Sequence, residues 1–355
     1  MRRGHDCSSG RSRLIMKLKL VLVATVLLSL PTIARAGTWA NGSVTNSSGS
    51  RNYKIWIPTS YSGKSGLPLV MMLHGCTQTP DDFAAGTQMN TIADKENFLV
   101  VYPEQPATAN ALRCWNWFEA SQQSRGQTEP SLLAEIVSTV SKTYKTDARR
   151  VYVAGISAGG AMAVIMAATY PELFAAVGVH SGLAYKSATS LTEARPAMAA
   201  AGADPARLGQ LAFEAQANLG NSKHLMRVIV FQGAKDGAVS PANADRIISQ
   251  WAKTNDLIDD GKDNNSVDDV ADGKREGTVA SGYSFKVEVY NDHAGKPLME
   301  KWTVKEMKHA WSGGAAGVPY SDPKGPDASK EMWRFFQQSP PLPSRNKRTS
   351  PSRVK

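Results

Sequence analysis

The sequence predicts an α/β fold: a mostly parallel central sheet with helices on both faces. Two observations point to it. From Leu67 onward, short apolar runs alternate with segments of helical period, the rhythm of strand–helix–strand units. The 355 residues, 42% of them hydrophobic, contain no internal repeat and no linker long enough to separate a pair of domains, so they can bury one large core. The same composition excludes the disordered and fibrous classes.

The buried strands are expected at Leu69 to Leu73, Phe98 to Tyr102, Val151 to Ala154, Phe174 to His180 and Val228 to Phe231. Each is a short apolar run bounded by turn residues. Between the second and third, Leu132, Leu133, Ile136, Val137, Val140 and Tyr144 fall on one stripe of a helix over Thr128 to Lys145. Ala158 to Tyr170 and Ala242 to Asn255 read as further helices. Ahead of the sheet, Arg51 to Pro58 reads as an antiparallel edge strand. Phe285 to Tyr290 and Glu300 to Val304 read as strands around an Asn-Asp-His-Ala-Gly-Lys-Pro turn. A last helix, Ala328 to Gln338, should bury Met332, Phe335 and Phe336. Two stretches interrupt the pattern. Leu183 to Met226 is Ala-rich and is expected to lay helices over the site, whereas Asp256 to Gly277 is Asp-rich. The spacing of its acids does not match a calcium loop, so it reads as a solvated surface loop.

The two ends have their own chemistry. Met16-Lys17-Leu18-Lys19 leads into the apolar run Val21 to Leu30 and then Ala34-Arg35-Ala36, the order of parts in a secretory signal peptide. The apolar run is about half the length of a membrane-spanning helix. Residues 1–36 therefore read as a leader, with Met1 or Met16 as the start. Residues 37–343 form the catalytic domain and 344–355 a disordered basic tail. The formal charge of +10 falls to +4 once the seven Lys/Arg and one Asp of the leader are removed, and the five bases of the tail account for the rest. No basic stripe remains to suggest nucleic acid. The expected location is outside the cytoplasm, in the periplasm or the medium, with no stable membrane anchor. Only Cys76 and Cys114 remain beyond the leader. In an exported chain they invite one disulfide worth about 3–4 kcal/mol, with two separate buried thiols as the alternative.

The strongest chemical signal is Val151-Tyr152-Val153-Ala154-Gly155-Ile156-Ser157-Ala158-Gly159-Gly160. A strand runs into Gly-x-Ser-x-Gly and on into a helix, the sharp turn that lifts a serine hydroxyl clear of an α/β-hydrolase sheet. Ser157 is therefore the candidate nucleophile. An unactivated serine is a poor one, so a base and a carboxylate must follow in the order Ser, Asp, His. Asp236 lies just beyond the strand ending at Phe231, and His309 follows the last strand. Asp245 and Asp292 are the fallback carboxylates. Among other histidines, His180 is a candidate for the pocket wall, His224 reads as surface and His293 as a solvated turn residue. His74 reads as a brace for its loop. The N–H groups of Cys76, after the first parallel strand, and of Ala158, after the nucleophile, are the expected oxyanion donors. Of the cluster Trp115, Trp117 and Phe118, at least one is expected to wall an acyl group, and Trp115 and Trp117 are the candidate substrate contacts. No His/Cys/Asp cluster has metal-ligand spacing, so neither metal nor cofactor is expected.

Five ordered motifs carry a resemblance. They are Leu73-His74-Gly75-Cys76-Thr77-Gln78, Tyr102-Pro103-Glu104-Gln105, Cys114-Trp115-Asn116-Trp117-Phe118, Gly155-Ile156-Ser157-Ala158-Gly159-Gly160 and His309-Ala310-Trp311-Ser312-Gly313-Gly314. Over roughly Tyr53 to Phe336 the chain resembles the poly(3-hydroxybutyrate) depolymerase family of esterases, kin of feruloyl and acetylxylan esterases. The resemblance implies Ser157, Asp236 and His309 as a catalytic triad, the Cys76 amide in the oxyanion hole and a Cys76–Cys114 bond. It also implies a secreted serine esterase acting on 3-hydroxybutyrate oligomers or amorphous polymer. Extracellular depolymerases of this kind usually append a polymer-binding domain, and only 46 residues follow His309, so crystalline polymer is not the expected substrate. A feruloyl or acetylxylan esterase, and from another class a silent binding protein on the same scaffold, are the alternatives.

Overall fold

The computed structural model describes residues 36–64, 66–216, 219 and 223–342. The leader up to Arg35 and the tail lie outside the described residues. In chain order the elements are β1 (Thr38–Asn46), β2 (Gly49–Ile57), β3 (Leu69–Leu73), α1 (Pro80–Thr87), α2 (Met89–Glu96), β4 (Leu99–Pro103), α3 (Thr128–Thr143), β5 (Val151–Ile156), α4 (Ala158–Thr169), β6 (Ala176–His180), α5 (Leu191–Met198) and α6 (Pro205–Glu214). They continue as β7 (Arg227–Gly233), α7 (Ala242–Asp259), β8 (Gly273–Thr278), β9 (Ser284–Asn291), β10 (Pro297–Val304), β11 (Trp311–Ser312), β12 (Ser321–Asp322) and α8 (Ala328–Gln337).

Ten strands join in one sheet, ordered β1-β2-β4-β3-β5-β6-β7-β10-β9-β8. The six from β4 to β10 in this order run parallel, and an antiparallel pair flanks each side. This is the α/β-hydrolase fold. Alternation along β3 shows how both faces are used. Leu69, Met71 and Leu73 join the core under α3, α4 and α7, while Val70 and Met72 join the core under α1, α2 and α8. All five are fully buried, as strands covered on both faces must be.

The outer strands differ from expectation in two places. Arg51 to Pro58 is antiparallel but not the edge, because β1 pairs outside it along its whole length. The β1 sequence, Thr-Trp-Ala-Asn-Gly-Ser-Val-Thr-Asn, has too little apolar alternation to announce a strand. At the far edge β8 ends the Asp-rich stretch. The segment between α7 and β8 is mostly exposed, as a surface loop, and is tied back to the helix: Asp256 of α7 is buried and accepts from the backbone N–H groups of Asn264 and Ser266. Among the described residues no group of three or more His, Cys, Asp or Glu is placed to hold a metal ion, and no helix is long and apolar enough to cross a membrane.

Candidate active site

Ser157 sits between β5 and α4 at φ 57°, ψ −123°, a conformation that costs a non-glycine residue about 1–3 kcal/mol. The glycines around it permit the turn. A Cβ on Gly159 would lie 2.0 Å from the Leu73 carbonyl oxygen, and one on Gly155 would lie 2.3 Å from the Gly159 oxygen. The Ser157 N–H donates to the His180 carbonyl at 3.0 Å, which seats the turn on β6.

Asp236 and His309 arrive from the ends of β7 and β10. The His309 Nδ1 lies 2.8 Å from Asp236 Oδ2. The two supporting turns are tied together as well: Lys235 N–H donates to the Met307 carbonyl and Ala234 N–H to the Val304 carbonyl. Asp236 is buried and fully partnered, its Oδ1 accepting from Ala238 N–H and Val239 N–H and its Oδ2 also from Gln232 Nε2. Burial works against its charge. The hydrogen bond and charge of His309, with the two backbone donors, outweigh that and hold the carboxyl below the usual carboxylate range. Neither fallback carboxylate is placed for this task. Asp245 pairs with Lys301, and Asp292 caps its own hairpin turn.

Ser157 and His309 line one cavity of about 210 Å³ with Gly75, Cys76, Gln78, Ile156, Met198, Ala238 and Tyr320. The loop that carries Cys76 is held from three sides. Gln78 Oε1 accepts the Gly75 N–H, the Thr77 N–H donates to the Leu112 carbonyl, and Cys76 is disulfide-bonded to Cys114. Among the described residues the Cys76 N–H donates to no backbone carbonyl, unlike its neighbour Thr77. Ala158 opens α4, and the first N–H of a helix has no intrahelical acceptor. Cys76 thus lines the cavity with Ser157, and Ala158 follows Ser157 directly in the chain.

Behind the cavity Glu129, at the start of α3, organises the Cys114 to Phe118 loop. Its carboxylate accepts from the Asn116 N–H, Asn116 Nδ2 and Gln105 Nε2 and lies 3.7 Å from the buried Arg51 guanidinium. Burial pushes the Glu129 carboxyl up, and those donors and Arg51 oppose it.

The structure places the two candidate tryptophans away from this cavity. Trp115 and Trp117 are buried, neither lines the cavity, and the Trp115 indole N–H donates to the His74 carbonyl. Sequence reasoning misses Gln78, Met198, Ala238 and Tyr320. Gln78 lies inside a motif already singled out, whereas Met198 and Tyr320 reach the cavity from remote segments whose residue types carry no signal. Met198 ends α5 in the Ala-rich stretch expected to cover the site.

His74 braces its loop: Nδ1 bonds the Gly75 carbonyl and Nε2 accepts the Gln105 N–H. His180 is fully buried and does not line the cavity, and His293 pairs with Asp259 in its exposed turn. Burial depresses the imidazole of His74 to about 4 and that of His180 to about 3. Both are therefore neutral in the folded protein at pH 7. Once unfolded they titrate near 6.5, so the unfolded state binds more protons below that pH. Stability is full above about pH 6.5 and is lost as pH falls toward 4 and 3. At pH 5 the two together should cost about 4 kcal/mol, read as a drop in urea midpoint relative to pH 7.5. An unchanged midpoint would show that both rings charge as freely in the folded state as in the unfolded one.

Comparison with known proteins supplies the family. Residues 51–267 match the family model described as esterase PHB depolymerase. The chain belongs to this family. The esterase is 32% identical to poly(3-hydroxyalkanoate) depolymerase C of Paucimonas lemoignei over 305 residues, covering 85% of this chain and 68% of that protein. It is 30% identical to feruloyl esterase B of Neurospora crassa over 243 residues, covering 65% of this chain and 80% of that protein. Among solved structures it superposes on the acetyl xylan esterase from Aspergillus awamori with a TM-score of 0.65 at 22% identity, over 84% of this chain and 99% of the other. At that identity the likeness speaks for the fold. Family and relatives together make the chain a carboxylic ester hydrolase.

Proposed function

We propose that the esterase cleaves short-acyl esters through an acyl-enzyme on Ser157, with 3-hydroxybutyrate oligomers or amorphous poly(3-hydroxybutyrate) as substrate. The observation that carries the mechanism is the Asp236–His309 hydrogen bond with Ser157 in the same cavity as His309. Asp236 accepts from Nδ1–H and leaves Nε2 as the basic nitrogen. That nitrogen takes the Ser157 Oγ proton as Oγ attacks the ester carbonyl carbon. The carbonyl oxygen becomes an oxyanion, which accepts hydrogen bonds from the N–H groups of Cys76 and Ala158. When the intermediate collapses, the ester C–O bond breaks and His309 returns the proton to the departing alkoxide. Water then repeats the sequence on the acyl-serine, with His309 again as base, and releases the acid and Ser157.

The cavity supports this substrate class. At about 210 Å³ it is smaller than the roughly 300–1,000 Å³ of drug-sized sites. Its walls offer Ile156, Met198, Ala238 and Tyr320, and among the described residues no lysine, arginine or carboxylate lines it to recruit a charged group. A short, neutral acyl unit suits it. The name of the Paucimonas lemoignei relative points the same way. The 3-hydroxybutyrate trimer should therefore be hydrolysed with a kcat/KM at least about tenfold above that for methyl ferulate, the gap worth about 1.4 kcal/mol that one or two well-placed methylenes supply. Preference for methyl ferulate or acetylated xylan would move the enzyme to the feruloyl or acetylxylan reading. Export to the periplasm or medium is also proposed. Its support is the Cys76–Cys114 bond, of a kind that persists in oxidising compartments, together with the leader-like order of residues 1–36.

A further inference from the structure

His180 ends β6 one step behind the cavity, where the three segments of the site meet. Its backbone carbonyl accepts the Ser157 N–H at 3.0 Å. Its ring Nε2 accepts the Ser312 N–H at 3.0 Å, and Ser312 lies three residues beyond His309. The ring stacks on Trp311, with centroids 5.1 Å apart and planes at 28°, and on Phe231 at 5.9 Å and 17°. Phe231 belongs to β7, the strand that delivers Asp236, and its carbonyl accepts the Ser181 N–H at 2.9 Å. One fully buried residue is thus bonded to the nucleophile turn and to the histidine loop, and stacked on the aspartate strand.

We infer that His180 is a positioning residue for ester hydrolysis, setting the placement of His309 relative to Ser157 through its paired carbonyl and Nε2 hydrogen bonds. This rests on Ser157 and His309 as nucleophile and base. It goes beyond packing, because a phenylalanine would fill the same stack between Trp311 and Phe231 but could not accept the Ser312 N–H. Since Nε2 is the acceptor, the ring proton is on Nδ1, within 3.2 Å of Ser181 Oγ. The ring does not belong to the cavity wall. It therefore acts through the segments it holds and not on substrate.

The test compares His180→Phe with His180→Gln on a soluble 3-hydroxybutyrate trimer, with Ser157→Ala measured beside them. Phe keeps the stack and loses the acceptor; Gln keeps an acceptor oxygen at nearly the same reach. His180→Phe should lower kcat by about 10- to 100-fold with KM little changed, the penalty for displacing a catalytic group by up to about 1 Å. His180→Gln should recover most of that loss. A His180→Phe enzyme within twofold of wild type, or Phe and Gln variants equally impaired, would overturn the inference while Ser157→Ala remained inactive. An active Ser157→Ala would instead remove the triad reading. Should the variants not fold, nitrogen-15 spectra of histidine-labelled wild-type protein decide. An unprotonated Nε2 on His180 supports the inference, and a proton on Nε2 refutes it.

Discussion

Ser157→Ala should lower kcat by about 10⁴-fold or more and leave the melting temperature close to that of the wild type. Under the proposed mechanism the loss follows from removing the atom that forms the acyl bond, for which Asp236 and His309 do not compensate. Stability should hold because alanine at φ 57° meets the same backbone cost as serine and Oγ makes no hydrogen bond on which the turn depends: the turn is seated by the backbone bond from Ser157 N–H to the His180 carbonyl. Turnover of a soluble ester and labelling by a fluorophosphonate, with the modified peptide located by mass spectrometry, are the measurements. One tenth of the activity surviving, or a label elsewhere than Ser157, would defeat the assignment.

Glu129→Ala should destabilise the fold by about 3–5 kcal/mol, the usual cost of breaking a buried ion pair from one side. Arg51 and Glu129 are both almost fully enclosed, with side chains 7% and 3% exposed. Removing the carboxylate leaves the guanidinium buried without its counter-charge. It also strips acceptors from the Asn116 N–H, Asn116 Nδ2 and Gln105 Nε2, and an unpaired buried donor costs about 1–3 kcal/mol. Activity should decline with stability, because the loop so released carries Cys114, the disulfide partner of Cys76. Urea unfolding at pH 7.5 measures the first effect. A loss below about 1 kcal/mol would mean that water reaches the Arg51 pocket once the carboxylate is gone.

How much of this is legible in the sequence depends on whether the signal is local. β5, the turn at Ser157 and α4 are continuous in the chain, and the glycine pattern reports the backbone approach between Gly155, Gly159 and Leu73 directly. The parallel strands are legible because burial on both faces leaves an unbroken apolar run. β1 is not, since an edge strand is held by its ladder to β2 and needs little apolar character of its own. Met198 and Tyr320 are hidden for another reason. A cavity wall built from distant loops is fixed by tertiary packing, and nothing in a methionine or tyrosine says which neighbour it will meet. The position of Trp115 is hidden on a related point. Attachment to the Cys76 loop through the Cys114 bond does not place a side chain in the cavity wall: the indole is buried and donates to the His74 carbonyl.

The outermost strand β8 bears on behaviour in concentrated solution. An open sheet ends in a row of unpaired peptide groups, ready to take up a strand from a second molecule and start a fibre. β8 reads Gly-Lys-Arg-Glu-Gly-Thr, short and charged where most of the sheet is apolar. Arg275 lies over the Trp302 ring and within 4.0 Å of Glu300, and Lys274 within 3.9 Å of Glu288. A second strand docking on this edge would have to strip water from these charges, and two copies meeting there would bring like charges together. The strand thus extends the sheet by one ladder while making further extension costly.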